Sequence, residues 1–158
     1  MAHAQIAGEG APHPAAAGLH LSLVTLGVDD LRRSIAFYEA LGLPRRLKAA
    51  EGVAFFEAGC VVLALYPRHQ LAADAGVLNG RMGAFGGIVL SCNRPDREAV
   101  DSTIAAVIAA GGKALRAADT VFWGGYVGYV ADPDGHPWEI AYNPDFGLDP
   151  DGRLRVPA

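Results

Sequence analysis

Val28-Asp29-Asp30-Leu31-Arg32-Arg33-Ser34-Ile35-Ala36-Phe37-Tyr38, followed by Leu41-Gly42, is the stretch that decides the fold. Before it, Leu21, Leu23, Val24 and Leu26 form an apolar, strand-like run that stops at Gly27. Asp29 or Asp30 can cap a helix, because a short carboxylate accepts the unpaired N–H groups of a first turn. Leu31, Ile35, Tyr38 and Leu41 then recur at helical spacing along one face, with Arg32, Arg33 and Glu39 outward, and Gly42 supplies a left-handed stop.

Downstream, three short strands are expected at residues 45–49, 52–58 and 60–66, punctuated by Glu51-Gly52 and Gly59, so the first unit reads β-α-β-β-β. The pattern lapses from Pro67 to Ala84 into a stretch holding Gly76, Gly80 and Gly83, which reads as a linker loop. The same order then returns. An apolar run from Phe85 to Cys92 precedes a helix capped by Asp96, with Val100, Ile104 and Val107 on one face and Gly111-Gly112 as its stop. Strands follow at 113–117, 125–131 and 137–142, the last two joined by the turn Asp132-Pro133-Asp134-Gly135. The organisation expected is a loose tail over 1–18, a first module over 19–67, a linker over 68–84, a second module over 85–144 and a polar tail over 145–158.

Composition narrows the function classes. At 158 residues, with 51% hydrophobic and 19% charged residues, the chain can bury a core. Its net charge of -4, with thirteen scattered Lys and Arg, argues against a nucleic-acid partner. No apolar stretch approaches the roughly 18–20 residues of a membrane span, which argues against membrane insertion. Residues 1–17 lack the basic and apolar regions of a signal peptide, so a cytoplasmic location is expected. Cys60 and Cys92 sit in strand-like runs and read as structural thiols.

The segment from Val28 to Gly42, together with Tyr129-Val130-Ala131-Asp132-Pro133-Asp134-Gly135-His136-Pro137-Trp138-Glu139-Ile140, resembles the vicinal oxygen chelate superfamily, which includes glyoxalase I, bleomycin-resistance proteins and extradiol dioxygenases. The resemblance covers about residues 20 to 144. It implies an α+β fold in which two βαβββ modules form a curved eight-stranded mixed sheet around a cleft, and it implies a homodimer. Metal-dependent members carry one ligand on each of four inward-facing strand positions. Glu139 matches the last. The resemblance places Leu23, Leu63 and Gly87 at the other three, and none of these binds a cation. A lone carboxylate holds a divalent ion poorly, so no metal cofactor is expected, with a divalent metal the disfavoured alternative. His20 lies three residues from Leu23, an odd offset that points it to the other face.

Glu139 is the expected catalytic residue, either as general base or hydrogen-bond acceptor for a ligand, or as a relic held by Tyr126 or Tyr129. Trp123, Tyr126 and Tyr129 are expected to line a ligand site beside Leu23, Leu63 and Gly87, with Phe122 and Trp123 read alternatively as packing anchors. Arg81, in the linker, reads as a clamp for an anion or as a solvated loop residue. The function expected is binding of a small apolar or aromatic molecule without the usual metal; the alternatives are a glyoxalase-type lyase or isomerase, with a dioxygenase less favoured, and a dimerisation module whose cleft is filled.

Overall fold

The computed structural model describes residues 21–80 and 85–157. The proposed cap at Asp30 forms as expected: its backbone is extended, its carboxylate accepts the Arg33 N–H at 3.0 Å, and α1 runs Leu31–Ala40. Gly42 ends the turn with φ +82, where a Cβ would be strained. The first module contains β1 (Leu23–Val28), α1, β2 (Arg45–Arg46), β3 (Ala54–Ala58) and β4 (Val61–Pro67). Its strands order β1-β4-β3-β2, with β1 and β4 parallel and the others antiparallel. The second repeats it with β5 (Leu90–Asn93), α3 (Arg97–Ala109), β6 (Lys113–Thr120), β7 (Tyr126–Ala131) and β8 (Pro137–Tyr142), ordered β5-β8-β7-β6. The fold is α+β, as the resemblance implied, and the eight module strands expected in one curved sheet form two four-stranded mixed sheets, each closed within its own module.

One core joins the modules. Tyr38 of α1 lies 5.9 Å from Phe56 on β3 and 6.2 Å from Trp138 on β8, ring centroid to centroid, so α1 touches both sheets. Val28, Phe56, Leu65, Val100, Val130 and Ile140 are buried around it, and burying one such side chain contributes about 1.5–3 kcal/mol. At Gly128 the sheet comes so close to α3 that a Cβ would stand 2.6 Å from Ile104 Cδ1.

The Asp132-Pro133-Asp134-Gly135 turn fastens the second module to α1. Asp134 accepts hydrogen bonds from Ser34 Oγ at 2.5 Å, from Arg33 at 2.7 Å and from the Asp29 N–H at 2.8 Å. Asp132 accepts from the Tyr38 hydroxyl at 2.8 Å and lies 2.8 Å from His136 Nδ1, while the N–H groups of Asp134 and His136 donate to its other oxygen. Both carboxylates are buried, which is tolerable only because every oxygen has a partner. Ser34 and Tyr38 thus serve as partners in the lock between modules, in addition to their places on the helix.

Four expectations need correcting. The stretch 68–84 is no plain loop: it begins with α2 (Arg68–Asp74), held by the Arg68–Asp29 ion pair at 2.6 Å and by packing of Arg68 on Gly27. Two turns of helix carry too little periodicity to be read from sequence. The strand expected from Phe85 begins only at Leu90, because Gly87 has φ +81 and breaks the extended run. The strand expected over 45–49 is cut to two residues by Leu47, whose φ is +47. The tail contributes a small hairpin, β9 (Gly147–Leu148) with β10 (Leu154–Arg155), closed by Asp149, which takes the Asp151 and Arg153 N–H groups and pairs with Arg155.

Candidate functional site

Strand pairing sets one residue from each strand of the second sheet abreast. Ser91 on β5 is opposite Glu139 on β8, Glu139 is opposite Tyr129 on β7, and Tyr129 is opposite Arg116 on β6. Side chains of a strand alternate between faces. Trp138 and Ile140 point to the helices, in the core that holds Tyr38, so Glu139 and its row point to the helix-free face.

Within the row the Tyr129 hydroxyl donates to Glu139 Oε2 at 2.5 Å and Ser91 Oγ donates to Oε1 at 3.3 Å. The Arg116 guanidinium stands 5.3 Å from the Tyr129 ring centroid, a cation–π distance. The Glu139 hydrogen bond, with partial burial, raises the Tyr129 phenol above its ordinary value, so Tyr129 keeps its proton and donates a hydrogen bond to the carboxylate. The arrangement offers a carboxylate that accepts a proton or hydrogen bond, a fixed phenol and a guanidinium along one line.

A divalent metal does not fit this donor set. Among the described residues no three His, Cys, Asp or Glu side chains are grouped to hold an ion, and the neighbours of Glu139 are protonated hydroxyls, which are poor substitutes for imidazole or carboxylate.

The first sheet carries an equivalent row. Thr25, Ala64, Phe55 and Arg46 stand abreast on β1, β4, β3 and β2. Thr25 precedes α1 by the same number of residues as Ser91 precedes α3. The partner position of Glu139 is therefore Ala64. Leu63 was expected there, but it pairs with Phe56 and is buried on the helix side at 3% exposure. Matching Tyr66 to Tyr142 put β4 one residue out of phase, and one residue in a strand is the opposite face. Leu23 does lie in the face-alternation of Thr25 and is exposed. Gly87 lies ahead of β5, exposed and outside the ladder.

Of the other expected residues, Tyr129 alone touches Glu139. Tyr126 faces α3, donating to Asp101 at 3.0 Å beneath the Arg97 guanidinium. Trp123 folds over Gly125, where a Cβ would meet its ring at 1.8 Å, and Phe122 is fully exposed at the tip of the same hairpin. Arg81 and His20 lie outside the described residues. Sequence reasoning missed Ser91 and Arg116 as members of the row; their one signal is strand parity relative to Glu139, which cannot be counted until the strand starts are known. Glu139 lines neither the 450 Å³ cavity between the helices nor the 310 Å³ cavity near His136; Ser91 and Arg116 are exposed and Tyr129 and Glu139 half-buried, so within one chain the row lies on an open sheet face.

The model of the Glyoxalase/Bleomycin resistance protein/Dioxygenase superfamily matches residues 3–140. The chain belongs to this superfamily. Among solved structures, this superfamily member is similar to a glyoxalase-related enzyme from Fulvimarina pelagi, at 36% identity over 88% of this chain and 99% of that one, with a TM-score of 0.78. It is similar to a lactoylglutathione lyase from Agrobacterium tumefaciens at 27% identity, 78% and 93% coverage and a TM-score of 0.59. A glyoxalase/bleomycin resistance protein/dioxygenase family enzyme from Burkholderia phytofirmans PsJN shares the fold at 19% identity, 78% and 98% coverage and a TM-score of 0.69. No curated protein matches significantly.

Proposed function

We propose that this superfamily member binds a small apolar or aromatic molecule against the helix-free face of its second sheet, without a divalent metal, with Glu139 as acceptor for a ligand proton or hydroxyl. The observation that carries this reading is the Ser91–Glu139–Tyr129 set: a carboxylate already oriented by two hydroxyls, in a row without a second metal-ligating group. The Tyr129 ring and the stem of Arg116 supply a surface for a planar ligand. The open face calls for a cover, and a homodimer in which a second copy closes over it fits the two matching rows. Thermal-shift titration with planar apolar compounds tests the binding. At least one should stabilise the native protein and lose that effect in Glu139→Gln and Tyr129→Phe. Elemental analysis finding about one divalent ion per chain, with chelation abolishing the shift, would overturn it.

A second reading, a glyoxalase-type lyase or isomerase with Glu139 as base, is favoured by the likeness to a protein named lactoylglutathione lyase and by the fixed Glu139–Tyr129 pair. Turnover of the hemithioacetal of methylglyoxal and glutathione, with nickel, zinc or cobalt added, is its assay. A rate no higher than that of Glu139→Gln excludes it.

A further inference from the structure

A second binding site lies on the other side of the sheet. Between α1 and α3, over the helix-side face of β7 and β8, there is a cavity of about 450 Å³. Phe37, Tyr38, Val130, Trp138 and Ile140 wall it, so most of its surface is apolar and belongs to the rigid core. Its exposed lining residues, Ala40 of α1, Arg94 after β5 and Ser102 and Ala106 of α3, mark the side on which it opens, its mouth. The cavity is open on one side, and its size falls within the range of about 300–1,000 Å³ of small-molecule pockets, which combine apolar walls with a few polar groups.

The polar equipment is asymmetric. Arg94 is the one charged residue among those lining the cavity. Its backbone N–H is fixed to the Ala141 carbonyl at 2.8 Å, which holds it at the end of β5. Among the described residues no carboxylate lies within ion-pair distance of its guanidinium. Arg33, Arg46, Arg68 and Arg155, by contrast, have carboxylate partners in the chain, so that Arg94, like the remaining unpaired arginines among the described residues, keeps its donors available. Arg94, exposed and the only charged residue lining a half-open apolar pocket, is matched by an anion on an apolar body, the head held at Arg94 and the tail along the apolar wall. We infer that this cavity is a site for an amphiphilic monocarboxylate, physically separate from the Glu139 row, which lies on the opposite face of the same sheet.

Two native residues report on the site. Trp138 and Cys92 both line it, while Cys60 is exposed elsewhere. The probe is decanoate, with decanol as its uncharged counterpart, added to the delipidated full chain carrying Trp123→Phe so that Trp138 is the one remaining tryptophan. Decanoate should change Trp138 emission saturably and, at ten times its Kd, slow thiol labelling of Cys92 about tenfold while leaving Cys60 unchanged. Arg94→Gln should weaken decanoate about tenfold and leave decanol unaffected. Ala106→Phe and, independently, Ala40→Phe should fill the mouth and abolish binding of both probes with the unfolding midpoint retained. Equal decanoate affinity in native protein, Arg94→Gln and Ala106→Phe would overturn the proposal. So would a Cys92 that decanoate does not protect, or one that reacts only when dilution dissociates a dimer, since a second copy would then be the occupant. Loss of decanoate binding in Glu139→Gln would transfer the ligand to the other face and likewise overturn it.

Discussion

Replacing Asp134 by Ala tests whether the Asp-Pro-Asp-Gly turn locks the two modules. The Asp134 carboxylate is wholly inaccessible and accepts three hydrogen bonds. Hydrogen bonds to a charged group contribute about 1.5–3 kcal/mol each, but the three do not count equally. Arg33 is 46% exposed and regains water when its partner goes, so its share is small. Ser34 is fully buried and keeps a second acceptor, the Asp30 carbonyl at 3.0 Å. The Asp29 N–H is only partly buried. The net expected loss is about 3 kcal/mol, near the lower bound for breaking a buried charged cluster, and equals roughly 6–12 °C in Tm for a chain of this size. Urea unfolding at neutral pH measures it, with an unchanged m-value showing that the native state keeps its compactness. The cycle with Ser34→Ala isolates the Ser34–Asp134 contact, whose coupling should be about 1–2 kcal/mol. A loss below about 1 kcal/mol, or no coupling to Ser34, would refute the lock.

Asp132 carries a pH dependence. Burial pushes its carboxyl up, but hydrogen bonds and charge from His136, with the Tyr38 hydroxyl, outweigh burial and hold it below the ordinary 3.8. Its contribution is therefore complete above about pH 4 and lost as pH falls further, so unfolding free energy should drop between pH 5 and pH 3 less steeply in Asp132→Asn than in the native chain. In Glu139→Gln the Tyr129 phenol should titrate lower than in the native protein, because its carboxylate acceptor is gone; ultraviolet difference titration against Tyr129→Phe reads this, and an unmoved curve would show that the pair does not form. Gly128→Ala should destabilise by about 1–3 kcal/mol, since its Cβ would press Ile104 at 2.6 Å and the Ala118 backbone at 3.1 Å; calorimetry with no drop in Tm would contradict this close approach.

The sequence alone determined the repeated module, because its signals are local. Asp30 and Asp96 cap their helices through their own next residues, Gly42 and Gly111 take the left-handed turn that only glycine adopts cheaply, and strand alternation needs no partner to be read. Glu139 was singled out differently, through the resemblance that places it at the family's last ligand position. Tertiary structure decided everything that depends on phase between distant strands. Pairing with β8 fixed where β5 begins and so brought Ser91, not Gly87, beside Glu139, and pairing with β3 turned Leu63 to the helix side and Ala64, itself buried, to the helix-free side. The period of a strand is two, so a single unrecognised residue reverses a side chain, and only the ladder of hydrogen bonds supplies that count. The lock of Asp132 and Asp134 onto Ser34 and Tyr38 spans about a hundred residues of sequence, a distance across which each side chain looks, in sequence, like an ordinary turn or helix residue.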